Sequence, residues 1–203
     1  MERAGESQHF LIRGLPNMHL IGEKSRFAFE VGDYCDGRQT LRVCNIYVAN
    51  KNLCSDDNHI YVPSFIASLI GEFNKLISRN NFLKYESDFK DSCIEDIHRM
   101  LVDCEEHIDA AQYHAFMCWG ETTDQVRSFL IPYDGCVYLT YEFWRADHQP
   151  HREIGQVCGV QVYPYHVMRT IEKTIDFLNK SSCFLTKSNG LLGGHPSNES
   201  GNH

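Results

Sequence analysis

The chain has 203 residues, 42% of them apolar, and carries 27 acidic against 19 basic side chains for a formal charge of −8. That length and apolar share support one sizeable core and, by default, one domain. They exclude a membrane span, because no continuous apolar run nears the roughly 20 residues one needs; the absence of a Lys/Arg cluster or stripe in the sequence argues against direct nucleic-acid binding.

Residues 1–17 show no sustained periodicity and are read as a flexible arm. Within them Phe10, Leu11 and Ile12 form too short an apolar run for a secretory signal, so a cytoplasmic location is expected. From 25 to 31, Phe27, Phe29 and Val31 alternate with Arg26, Ala28 and Glu30, the period of a strand. Residues 32–39 make a turn, and 40–48 a second strand whose apolar parity changes. Leu41 and Val43 lie on one side, and Cys44, Ile46 and Val48 on the other. Either both faces are buried or the strand is bulged near Cys44 and Asn45.

Asp56, Asp57 and Asn58 form a polar turn before a short extended piece at 59–62. Pro63 or Ser64 opens a helix with Phe65, Ile66, Leu69, Ile70, Phe73, Leu76 and Ile77 on one broad face. Gly71 inside it costs about 1 kcal/mol relative to alanine. After a loop at 80–91, a second helix is expected over 92–113, with Ile94, Ile97, Leu101, Cys104 and Ile108 as its stripe. Gly120 to Asp124 breaks the chain.

The clearest pattern follows. Val126, Phe129 and Ile131 mark a strand that ends in the turn Pro132-Tyr133-Asp134-Gly135. From 136 to 144, Val137, Leu139, Tyr141 and Phe143 alternate with Tyr138, Thr140, Glu142 and Trp144. A polar loop at 145–153 leads to a strand at 154–162. Pro164 then presets a helix with Val167, Ile171, Ile175 and Leu178 at helical spacing to Lys180. Residues 181–203 are expected to be a disordered tail. The order of elements predicts an α+β domain over 18–180: a largely antiparallel sheet of five to six strands packed with about three helices.

Sites of chemistry are scarce. Nine cysteines, an odd number in a chain without a signal, read as reduced thiols acting as small hydrophobes. Cys93, His98, Cys104 and His107 would span roughly 21 Å of one helix, too far to share a zinc ion. His148 and His151 lack a third ligand, and the glycines do not stand between a strand and a helix where they could cradle a phosphate. No cofactor or metal is expected. Asp57 with His59, or His148, could supply acid and base to an enzyme of unrecognised type, although polar groups at turns are ordinarily caps.

Four stretches carry a resemblance to a known family. They are Met18 to Gly22 with Ser25 to Val31, Asp56 to Phe65, Trp119 to Asp124, and Phe143 to His148. Together they resemble recurrent segments of the small bacterial immunity proteins of polymorphic toxin systems, including contact-dependent growth inhibition. The resemblance implies a non-enzymatic cytoplasmic protein that binds a cognate toxin's C-terminal domain, typically a nuclease with a basic cleft, and occludes its active site. The acidic balance agrees with a basic protein partner. Such families share no universal binding residues, so the interface is read from this chain: Asp56, Asp57, Glu121, Asp124, Glu142 and Trp144, taken as exposed acidic and aromatic side chains on loops. A scaffold protein is the remaining alternative.

Overall fold

A computed structural model of the protein describes residues 17–35, 40–55, 57–103 and 106–189, without the side chains of Glu121 and 181–189. Within it nine strands and four helices follow the chain. These are β1 (His19–Glu23), β2 (Phe27–Tyr34), β3 (Leu41–Val48), β4 (Lys51–Asn52), β5 (His59–Tyr61), α1 (Val62–Ser78), α2 (Ile94–Asp103) and α3 (Ile108–His114). Then come β6 (Ala115–Phe116), β7 (Val126–Tyr133), β8 (Cys136–Phe143), β9 (Cys158–Val162) and α4 (Pro164–Asn189). The α+β class and the antiparallel pairing expected from the sequence hold. The strands form two sheets rather than one: β1-β2-β3-β4 with β5 also on β3, and β6-β7-β8-β9.

Alternation in β2 and β3 builds the inner face of the first sheet. Phe29 pairs with Ile46, Val31 with Cys44 and Phe27 with Val48, and all six side chains are buried. The parity change in β3 is resolved by an inward arginine. Arg42 lies between the rings of Tyr34 and Phe177, 4.7 and 5.1 Å from their centroids, and its Nε donates to the Gly32 carbonyl at 2.6 Å. The bulge falls between Val31 and Tyr34 of β2, not at Cys44 and Asn45. Stacking on two rings lets a guanidinium occupy a core position that periodicity assigns to an apolar residue.

The inner face meets α1, α4 and the second sheet in one core. Phe29 packs edge-on against Phe65 of α1, and Trp119 stacks on Phe29 at 5.6 Å and meets Phe27, Phe65 and Phe116. Only part of the apolar face read on α1 is used. Phe65, Leu69 and Leu76 are buried, whereas Ile70 and Ile77 are exposed. Glu72 on the same helix accepts from the Trp119 indole at 3.2 Å, and Lys75 and Arg79 donate to the Ala115 carbonyl. These bonds fix β6 and the segment after it to α1.

The second sheet is covered on both sides. Val126, Leu130, Leu139 and Phe143 face the main core. Phe129 and Ile131 face a second cluster with Phe89, Ile97, Leu101, Ala110 and Ala111, beneath α2 and α3. The single helix expected at 92–113 is two helices, because His107 leaves helical backbone angles (φ −120°, ψ 29°) before α3. Its interruption leaves Ile108 exposed. Cys104 lies outside the described residues. The strand expected at 154–162 is confined to Cys158–Val162, with a 3-10 turn at His151–Glu153 before it. The α4 backbone runs to Asn189, past the Lys180 boundary expected from apolar spacing.

Candidate functional site

The tight turn Asp134-Gly135, both residues at positive φ, sets the register of β7 on β8. Counting back from Tyr133 opposite Cys136 places Phe129 against Thr140 and Arg127 against Glu142. The pairing continues one step, with the Trp144 amide donating to the Gln125 carbonyl at 3.1 Å. One face of the second sheet thus carries Thr140, Glu142 and Trp144 in a row. His98 of α2 covers Thr140, with Nδ1 2.9 Å from its hydroxyl. Past Glu142 the row emerges into solvent at Trp144.

Three side chains make the open end. Trp144 is 45% exposed. Its indole N–H donates to the Asp124 carbonyl at 2.7 Å, and the Arg127 guanidinium lies 4.9 Å from the ring centre. Glu142 holds Arg127 from below at 3.5 Å. The ring is therefore fixed in place while almost half of it remains open, the condition for an aromatic anchor that loses little rotamer freedom on binding. The expectation that Glu142 is an exposed loop residue is corrected. It lies in β8 and is 7% exposed, with the Arg127 side chain against its carboxylate.

Segments distant in sequence meet at this end. The Gln125 side chain donates to the Leu53 carbonyl at 2.8 Å, and the Cys54 thiol lies 3.4 Å from the Thr122 carbonyl. Asp57 follows three residues later as an exposed turn residue, its carboxylate accepting from the His59 amide at 3.0 Å. Lys51 of β4 reaches across to Glu153 at 2.6 Å. That carboxylate also meets His148 at 3.3 Å, and Lys51 first and His148 after it hold its pKa below the usual range. Of the residues expected at an interface, Asp57, Asp124, Glu142 and Trp144 are described. Asp56 and the Glu121 side chain lie outside the described residues.

The groups suggested for an enzyme separate into two environments. Asp57 and His59 sit 3.7 Å apart on an exposed turn. His148 is buried, stacked on Phe143 at 3.8 Å. Its carboxylate neighbour Glu153 is already matched by Lys51, and the adjoining cavity lined by Lys51, Tyr141, Phe143, Glu153, Gln156 and Cys158 holds only about 90 Å³. This arrangement anchors the 144–157 loop to β4. It offers no shaped room for a substrate.

Cysteines and histidines elsewhere act in packing. Cys44 and Cys54 are buried, and burial pushes the Cys54 thiol up to about 12, which keeps it in its unreactive form. Cys158 is exposed on β9, the last strand of its sheet. His98 faces Thr140, Cys93 faces Asp96, and among the described residues no three Cys, His, Asp or Glu side chains group around a common point.

Arg127 is the residue that sequence reading missed. Its signal was present: the Asp-Gly turn fixes which residue of β7 stands opposite Glu142.

No protein-family model matches the chain, and no curated protein sequence matches it. Among solved structures, the fold is similar to that of CdiI from Burkholderia dolosa AUO158. The TM-score is 0.53 at 15% sequence identity, covering 78% of this chain and 99% of that one. The likeness at this identity is one of fold.

Proposed function

We propose that this is an immunity protein, which binds the C-terminal domain of a cognate toxin in the cytoplasm and neutralises it by covering its active site or substrate groove. The carrying observation is that almost the whole of CdiI is matched by this fold, CdiI being an immunity protein of contact-dependent growth inhibition. Such a protein needs a preorganised binding surface and no catalytic centre of its own. The Trp144 end supplies the former. An exposed indole braced by Arg127, with Asp124 beside it and Asp57 on the neighbouring turn, combines the residue types that dominate tight interfaces. The overall charge of −8 favours encounter with a basic toxin such as a nuclease.

The test is to co-express the toxin domain encoded beside this chain with and without the protein, following growth and titrating the purified pair by calorimetry. Rescue of growth with a one-to-one complex of about nanomolar Kd is expected, a free energy near −12 kcal/mol. Trp144→Ala is expected to weaken that complex by at least about 2 kcal/mol, near thirtyfold. Toxicity without rescue or binding overturns the reading; a tight complex indifferent to Trp144 moves the interface to another face.

A further inference from the structure

The sequence shows no basic cluster, yet the fold assembles one. Between the β1–β2 hairpin and the start of α4 lies an open cleft of about 380 Å³. Arg26 enters it from the hairpin, and His166, Arg169 and Lys173 from α4, while Glu23 is the acidic side chain on its wall. Arg26 lies 3.7 Å from Glu23 and 5.3 Å from the centre of the Tyr163 ring. Arg169 reaches the Tyr165 hydroxyl at 3.4 Å. Tyr163 and Tyr165 are 54% and 61% exposed and flank His166.

Three permanent cations against one carboxylate, on a chain of net charge −8, leave this cleft with local charge of the opposite sign. An anion is the complementary ligand. The two exposed tyrosines add flat apolar faces, which a bare phosphate does not use but an aromatic base does, at about 1–3 kcal/mol per stacked base. The volume falls at the lower end of small-ligand sites, roughly 300–1,000 Å³. A second groove between β1 and α4 shares Gly22 and Lys173 with it and is also lined by Asp176 and Lys180.

We propose that this cleft binds a nucleoside monophosphate, with the phosphate between Arg26, Arg169 and Lys173 and the base against Tyr163 or Tyr165. The site is separate from the Trp144 end: Val162, on its wall, pairs with Val137 next to the Asp134-Gly135 turn, whereas Trp144 follows the opposite end of β8. It does not depend on the immunity reading.

The full chain is titrated calorimetrically with AMP, GMP, UMP, adenosine and inorganic phosphate. At least one nucleotide is expected to bind with a Kd below about 1 mM, at least tenfold tighter than adenosine or phosphate alone. Arg169→Ala and Lys173→Ala are each expected to weaken it about tenfold. Tyr163→Ala with Tyr165→Ala is expected to bring nucleotide affinity down to that of phosphate. Trp144→Ala leaves nucleotide binding unchanged, whatever it does to a toxin complex. Circular dichroism confirms that each variant folds, and Lys173→Gln substitutes for any alanine variant that does not. No nucleotide binding, phosphate binding as tightly as nucleotide, or affinity unchanged in the arginine and lysine variants overturns the proposal.

Discussion

Two buried histidines show how single residues set conditions for the whole fold. His98 and His114 are almost inaccessible, at 0% and 1% exposure, and burial lowers the pKa of each to about 4. His98 meets only a hydroxyl and the edge of Phe129; His114 lies 2.9 Å from the Lys84 carbonyl, among Tyr85, Tyr113 and Phe89. At His98 the charges of Arg99 and Arg127 add to the effect of burial; at His114 burial outweighs the Lys84 and Leu130 carbonyls, which favour the charged ring. The folded value lies below the unfolded value of about 6.5, so the stabilisation is fully present above pH 6.5 and is lost as pH falls from there toward 4. At about 1.4 kcal/mol per pKa unit, the loss reaches roughly 3 kcal/mol per histidine at the foot of that window. Urea unfolding measured between pH 7.5 and 4.5 is expected to show this fall, and His98→Leu to remove a large part of it. A His98→Leu variant with the same pH dependence as the parent contradicts the assignment.

At the scale of elements, two glycines make opposite predictions. Gly22 in β1 has φ +98°, and a Cβ there would stand 2.5 Å from the Phe27 carbonyl oxygen and 2.8 Å from Thr170 of α4. Its missing side chain is what lets α4 cross the β1 edge, and Gly22→Ala is expected to cost at least about 2 kcal/mol through strain and lost docking. Gly71, inside α1, has open space around the position of a Cβ. Gly71→Ala is expected to stabilise by about 0.5–1 kcal/mol. Thermal unfolding of both variants separates the cases: Tm falls for the first and rises by about 2–4 °C for the second. The helix at Gly71 was legible because a long 3.6-residue period survives one bad residue. β1, β4 and β6 were not read as strands, since two to five residues give too little alternation to distinguish a strand from a loop.

For the whole molecule, charge and architecture act together. With a formal charge of −8, and if the partner is the basic toxin proposed above, association should slow about tenfold between roughly 50 and 500 mM salt, with dissociation little changed. Stopped-flow measurement tests this, and Asp57→Lys with Asp124→Lys should lower the association rate further. A salt-independent rate removes steering from the account. Where charges sit is a tertiary matter, and the sequence misleads on it. Arg26 stands more than a hundred residues from Arg169 and Lys173, yet all three line one cleft. Glu142, taken as an exposed acid, is paired with Arg127 beneath Trp144.

The α+β class, the main strands and helices, and the hairpin register were determined by the sequence itself, because periods of 2 and 3.6 and an Asp-Gly turn are local properties. The division into two sheets, the inward arginine at position 42, the burial of Thr140 and His98, and the meeting of Leu53, Gln125 and Trp144 at one end were decided only by tertiary structure. These depend on which faces find partners across long stretches of chain. Alternation states that a strand has two faces; it does not state that helices cover both.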